Sequence, residues 1–288
     1  MKHKFRDGTL VEVDDSQARF LKKLYGSAFG RFWLKPLTAR WVSRLGGWYM
    51  SRRISCSMIK SFVKNHNIDM SQFEPVKYRC YNEFFTRKIV PGARVVDMTP
   101  DHLISPCDCK LTVLPVTKEG RMTLKLTDYT VESLLRDEKL AAMYEGGQVL
   151  IFRLAVDDYH RYCYMADGQK EENVRIQGVF HTVNPIANDY FPIYKENTRE
   201  YTVLHTKEFG DMVVMEVGAL MVGKIINHHG KAQVQRGQEK GYFQFGGSTI
   251  VVLLKKDAAI LDPDILENSA EGIETVVRFG EKIGVAAK

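Results

Sequence analysis

Between Ser16 and Ile68 the sequence contains no aspartate or glutamate. The same stretch holds eleven basic residues: Arg19, Lys22, Lys23, Arg31, Lys35, Arg40, Arg44, Arg52, Arg53, Lys60 and Lys64. Of the 41 lysines and arginines in the chain, 30 lie elsewhere, against 35 acidic residues, so the formal charge of +6 is carried by this stretch alone. Long apolar runs are also missing. No segment of ~18 apolar residues occurs, which excludes a membrane-spanning helix. The charged start MKHKFRDGTLVEVDD has no apolar core segment, so no secretory leader is expected and the chain is expected inside the cell. Cysteine is sparse and odd in number: Cys56, Cys80, Cys107, Cys109 and Cys163 cannot all pair and read as reduced thiols. The Cys-x-Cys of SPCDCK has no second half at zinc spacing, even counting His160, Cys163, His228 and His229, so no metal is expected. With 22 Gly and 9 Pro in 288 residues, collagen-like and low-complexity readings are out. The chain is long enough to bury a core without disulfides.

What is present divides into two textures. In the acid-free stretch, apolar residues recur at helical spacing. Phe20, Leu21, Leu24, Tyr25 and Ala28 form one stripe; Leu37, Trp41, Leu45 and Trp48 a second; Ile54, Met58, Ile59, Phe62 and Val63 a third. They predict three amphipathic helices, broken near Pro36 and Gly46-Gly47. All three tryptophans (Trp33, Trp41 and Trp48) lie among these basic residues. Nucleic acid would accept the charge, but aromatics concentrated with it suit an anionic membrane surface, and no nucleic-acid partner is expected.

From about residue 100, short β-rich runs take over: 148–156, 176–183, 201–206, 211–217, 242–245 and 248–254. A short helix is predicted around 130–144. Many short strands with few helices between them predict an α+β chain: a helical region over residues 1–75 on a mainly antiparallel sandwich or barrel-like catalytic domain over 76–288.

Two glycine motifs invite chemistry. GALMVGK (218–224) fits Gly-x4-Gly-Lys, but Ile225 stands where a phosphate-binding loop needs Ser or Thr for Mg²⁺, which leaves nucleotide binding a distant alternative. FGGST (245–249) delivers Ser248 to the start of an apolar strand. A glycine before it leaves the Gly247 carbonyl unshielded from the Ser248 hydroxyl.

Six segments then stand in a recognisable order: YNEFFTRKIVPGAR (81–94), SPCDCK (105–110), DDYHRY (157–162), ENTR (196–199), VGALMVGKI (217–225) and RGQEKGYFQFGGST (236–249). Together, over roughly residues 40 to 255, they resemble the phosphatidylserine decarboxylases, a pyruvoyl-enzyme family. The resemblance implies a proenzyme that cleaves itself between Gly247 and Ser248 and leaves a pyruvoyl cofactor in place of Ser248. It assigns His160 as the base and Asp108 as the acid orienting its ring. It further implies a carboxy-lyase turning phosphatidylserine into phosphatidylethanolamine, working as a peripheral protein on the inner face of the cell membrane, with a homo-oligomer possible. A soluble amino acid, aromatic ones included, is the alternative substrate. Three positions depart from the family pattern: Cys163 replaces a second histidine, Cys109 a glycine and Met221 an asparagine.

Overall fold

The run STIVVLL forms a strand, Ser248–Leu254, that is buried along its whole length. A β-branched run is covered on both faces only in the interior of a sheet. In this computed structural model, which describes residues 2–12, 24, 25, 27, 32, 40–124, 127–179, 181, 182, 192–219, 224–246 and 248–287, that strand lies between Asp211–Val217 and Gln148–Leu154, antiparallel to both. The sheet continues through Arg199–His205, Gly168–Lys170 and Ala232–Val234 on one side. On the other it continues through Cys109–Pro115, Glu274–Val277, Lys2–Phe5 and Leu10–Glu12. With Val174–Ile176 it has eleven strands and stays open. One pairing among them, Lys2–Phe5 with Glu274–Val277, is parallel.

Alternation along the central strands makes two cores. Ile250, Val252 and Leu254 join Leu150, Phe152 and Leu154 on one face; Val251 and Leu253 join Val149, Ile151, Val213 and Met215 on the other. Each such side chain contributes about 1.5–3 kcal/mol by leaving water. Two three-stranded sheets cover the first face: Ile225–Asn227, Glu239–Phe243 and Arg161–Cys163 form one, Ala259–Leu261, Lys282–Ala286 and His102–Ile104 the other. The hairpin Arg121–Leu124/Thr127–Thr130 and the helices Val131–Leu135 and Glu138–Ala142 contribute side chains to the second core. This is the expected α+β architecture, built as layered antiparallel sheets rather than a closed barrel.

The basic stretch supplies helices Arg40–Met50 and Ser57–Asn65, joined by a 3-10 turn at Arg53–Cys56. Met50, Ile59, Phe62 and Val63 pack with Tyr81, Phe84 and Phe85 of a short helix, Tyr81–Phe85, into a third cluster. Trp41, Leu45 and Trp48 are left on the surface, 63%, 59% and 55% exposed.

Four local expectations are corrected. Residues 2–12 form two strands on the main sheet rather than part of a helical region. Gly46-Gly47 does not break its helix, which runs on to Met50, while the Gly47 carbonyl accepts from Ser51 and Asn82. The run 176–183 is not one strand: Val174–Ile176 pairs, and the chain leaves the sheet at Gln177. A Cβ at Gly178 would run into the carbonyl of Glu196, so the chain there crosses another backbone closely. The single helix near 130–144 is two, split where Arg136 takes a positive φ and Asp137 caps the second. The stripe at Phe20–Ala28, apart from Leu24 and Tyr25, lies outside the described residues, as do Trp33, Leu37, Met221 and Gly247.

Candidate active site

Ser248 opens the central strand, opposite Leu154 of the neighbouring one. Its Cβ shares the face of Ile250 and Val252, and the side chain is fully buried. There the Ser248 hydroxyl meets His160, with Oγ 3.2 Å from Nδ1. His160 closes the turn that follows the Gln148–Leu154 strand, and its own carbonyl accepts from Phe243 N. One ring nitrogen therefore reaches the serine, and the other, Nε2, lies 2.9 Å from the carbonyl oxygen of Ala155.

That second contact decides the chemistry. A carbonyl only accepts, so Nε2 carries the proton and the neutral ring presents its Nδ1 lone pair to the Ser248 hydroxyl. Burial pushes the His160 pKa down to about 3, with the cations of Arg87 and Lys110 adding to it and the Ala155 bond opposing. The imidazole is thus a neutral acceptor across the physiological range. Phe85 covers it, ring centroids 4.0 Å apart, and Phe245, just before the Gly-Gly pair, packs edge-on against Phe85 and Tyr81. Gly246 has φ 129°, a conformation that side chains with a Cβ rarely adopt.

The structure brings together two of the three expected site residues. Asp108 does not orient His160. Its carboxylate takes Arg94 Nη2 at 2.6 Å, Arg94 Nε at 3.1 and 3.2 Å, and the backbone N–H of Phe279 at 2.8 Å. All four contacts tie the SPCDCK loop to its neighbours. An orienting carboxylate was expected because a ring needs a fixed tautomer; a main-chain carbonyl supplies it instead. The acid that serves the turn is Asp158, whose carboxylate accepts from Ala155 N at 2.7 Å and binds Lys110 Nζ at 2.7 Å. It holds the N–H of the residue whose carbonyl meets His160.

Cys163 lies in the apolar core, where burial raises its thiol pKa and keeps it protonated. Among the described residues no three His, Cys, Asp or Glu side chains gather as metal ligands.

Sequence reasoning also missed Asn82. Its Oδ1 accepts from Phe245 N at 3.0 Å, and its Nδ2 donates to Ser51 Oγ at 2.8 Å, so one amide ties the basic helical region to the loop before Ser248. The only signal was its place inside the 81–94 segment. Asn197 of ENTR bridges the carbonyls of His181 and Gly218, and Arg199 donates to four main-chain carbonyls. Both shape the scaffold.

The family model described as phosphatidylserine decarboxylase matches residues 81–285. The chain is 47% identical over 265 residues to phosphatidylserine decarboxylase proenzyme 2 of Clostridium acetobutylicum, covering 92% of this chain and 91% of that one. It is 40% identical to the phosphatidylserine decarboxylase proenzyme of Ruminiclostridium cellulolyticum, covering 92% and 91%. The corresponding proenzyme of Fusobacterium nucleatum is 39% identical, covering 92% and 90%. These matches span the strand with Ser248, the turn with His160 and the helix that covers them, and the chain belongs to the phosphatidylserine decarboxylase family.

Proposed function

We propose that the chain is a self-cleaving proenzyme that matures into a carboxy-lyase converting phosphatidylserine to phosphatidylethanolamine. The observation that carries the first half is the buried Ser248 hydroxyl on the lone pair of a neutral His160. A serine hydroxyl alone is a weak nucleophile, and an adjacent base makes it competent. Ser248 Oγ attacks the Gly247 carbonyl carbon as His160 Nδ1 takes its proton. The Gly247–Ser248 C–N bond breaks, the nitrogen is protonated, and an ester forms. Loss of the Ser248 Cα proton then expels the Gly247 carboxylate from Cβ, and water releases ammonia.

The pyruvoyl group left behind keeps Cα and Cβ of Ser248 and exchanges nitrogen for oxygen, so it fits the volume that Ser248 occupies between His160 and the first core. When formed, it supplies an electron-poor carbonyl that takes up the electron pair left as CO₂ departs. His160, Phe85 and the core residues keep water from that spot. The relatives' names favour the lipid over a soluble amino acid as substrate. The exposed Trp41, Leu45 and Trp48 on a helix from the acid-free stretch support work at an anionic membrane surface.

Intact mass tests the first half: fragments 1–247 and 248–288 are expected, the smaller without a free amino group, and Ser248→Ala should stay whole. Phosphatidylethanolamine and CO₂ appearing from phosphatidylserine micelles test the second. A wild-type chain that remains uncut after prolonged incubation overturns the reading.

A further inference from the structure

Arg87 closes the FFTR segment and is 2% exposed. A buried guanidinium ordinarily lies against a carboxylate. Arg87 has none among the described residues. Its Nη2 donates to the carbonyl of Asp157 at 3.2 Å, with that of Asp158 at 3.5 Å, while Nε and Nη1 are buried without a partner among the described residues. The cation lies over the rings of Phe73 and Phe84, 4.3 and 5.0 Å from their centroids. Tyr78 packs edge-on against the same Phe84, 5.5 Å between centroids, and its hydroxyl is also buried with no partner among the described residues.

Three unused hydrogen-bonding atoms therefore share one corner, two of them on a cation. Burial lowers the Arg87 pKa and raises that of Tyr78, whose phenol stays neutral. The corner adjoins the active-site turn. Its carbonyl contacts come three and two residues before His160, and Phe85, two residues before Arg87, covers the His160 ring.

We infer that Arg87, with Tyr78, forms a subsite for the phosphodiester of the lipid head group. The inference rests on the phosphatidylserine reading above. That head group offers two oxyanions, and the chemistry separates them. A cation on the carboxylate would stabilise a charge that must vanish as neutral CO₂ forms, favouring the ground state over the transition state. The phosphodiester keeps its charge throughout, so a fixed guanidinium adds affinity and register without opposing the reaction.

The test measures inhibition of phosphatidylserine decarboxylation in micelles, with rates normalised to mature chain. Two soluble amines are compared: glycerophosphoserine, which has the phosphodiester, and O-methylserine, which lacks it. In wild type, glycerophosphoserine should inhibit about 10- to 100-fold more tightly, the worth of a buried charge-assisted hydrogen bond. Arg87→Met should lose most of that ratio and raise KM for the lipid more than it lowers kcat. Arg87→Lys should recover part, and Tyr78→Phe should lose about threefold. Equal inhibition by the two amines in wild type, or an unchanged ratio in Arg87→Met, overturns the subsite. If Arg87→Met fails to mature, Tyr78→Phe decides, and an unchanged ratio there overturns it. Wild type that makes no phosphatidylethanolamine would instead defeat the substrate reading.

Discussion

Among the described residues His160, the proposed base, has no carboxylate partner, and this shapes how it responds to pH. With its pKa held near 3 by burial, the rate of self-cleavage should be flat from pH 5 to 8. An inflection near 6.5 in a cleavage time course would show the ring exposed. Stability should follow the opposite rule. Between pH 6.5 and about 3 the unfolded ring takes a proton that the folded one refuses, so the fold loses stability as pH falls, by up to about 1.4 kcal/mol per unit from this group. Substitutions separate the roles. His160→Ala should abolish cleavage, while Cys163→Ala, which removes a protonated core thiol, should cleave at a similar rate. Asp158→Asn should slow cleavage at least about tenfold, because it unpairs Lys110 and loosens the Ala155 carbonyl that fixes the tautomer. Asp108→Asn should cost stability through Arg94 and affect cleavage less. Gels of the four variants over time check all of this. Ser248 and His160 were legible because each stands in a motif of distinctive composition. The partner of His160 was not, since a main-chain carbonyl leaves no mark in a sequence.

Among elements, those with one dominant cause were legible and those with competing causes were not. Ser248–Leu254 and Asp211–Val217 have the bounds their apolar runs predict, because burial on both faces favours a nearly continuous apolar sequence, the buried Glu216 being paired with Lys240. The strands Lys2–Phe5 and Leu10–Glu12 are short and charged and end one side of the sheet, with Leu10–Glu12 at its edge, so neither period nor hydrophobicity marks them. Glycine misled in both directions. In the Arg40–Met50 helix it was read as a break although the helix runs on to Met50, while Gly241, for which nothing was expected, lies against the backbone of another strand. A Cβ there would be driven into the carbonyl of Ile226, the residue before its cross-strand partner Asn227. Gly241→Ala should therefore separate Glu239–Phe243 from Ile225–Asn227 and cost about 3 kcal/mol or more, read by denaturant melts of the uncut Ser248→Ala chain. The Arg40–Met50 helix carries a different expectation. Binding to anionic vesicles should weaken with salt, since exposed charges are screened over about 8–10 Å. Trp41→Ala with Trp48→Ala should remove the part that salt leaves behind. Equal binding of wild type to neutral and anionic vesicles at low salt would refute the electrostatic share.

For the molecule as a whole, the proposed cut falls at the head of the strand that joins the two halves of the sheet. The 41 residues from Ser248 onward supply that strand, the Glu274–Val277 strand between Cys109–Pro115 and Lys2–Phe5, and two strands of a smaller sheet. Cleavage should therefore leave two chains that migrate as one under native conditions and part only in denaturant, which native and denaturing mass measurements check. The same placement sets a timetable for synthesis. The strand at the middle of the sheet is made after both of its neighbours. Until it arrives, Gln148–Leu154 and Asp211–Val217 face an empty slot, each with an unpaired edge that could recruit another chain. Ser248 cannot meet His160 before that slot is filled, so the proposed cut can be made only by a chain with its central strand in place, and maturation would double as a report that this strand has docked.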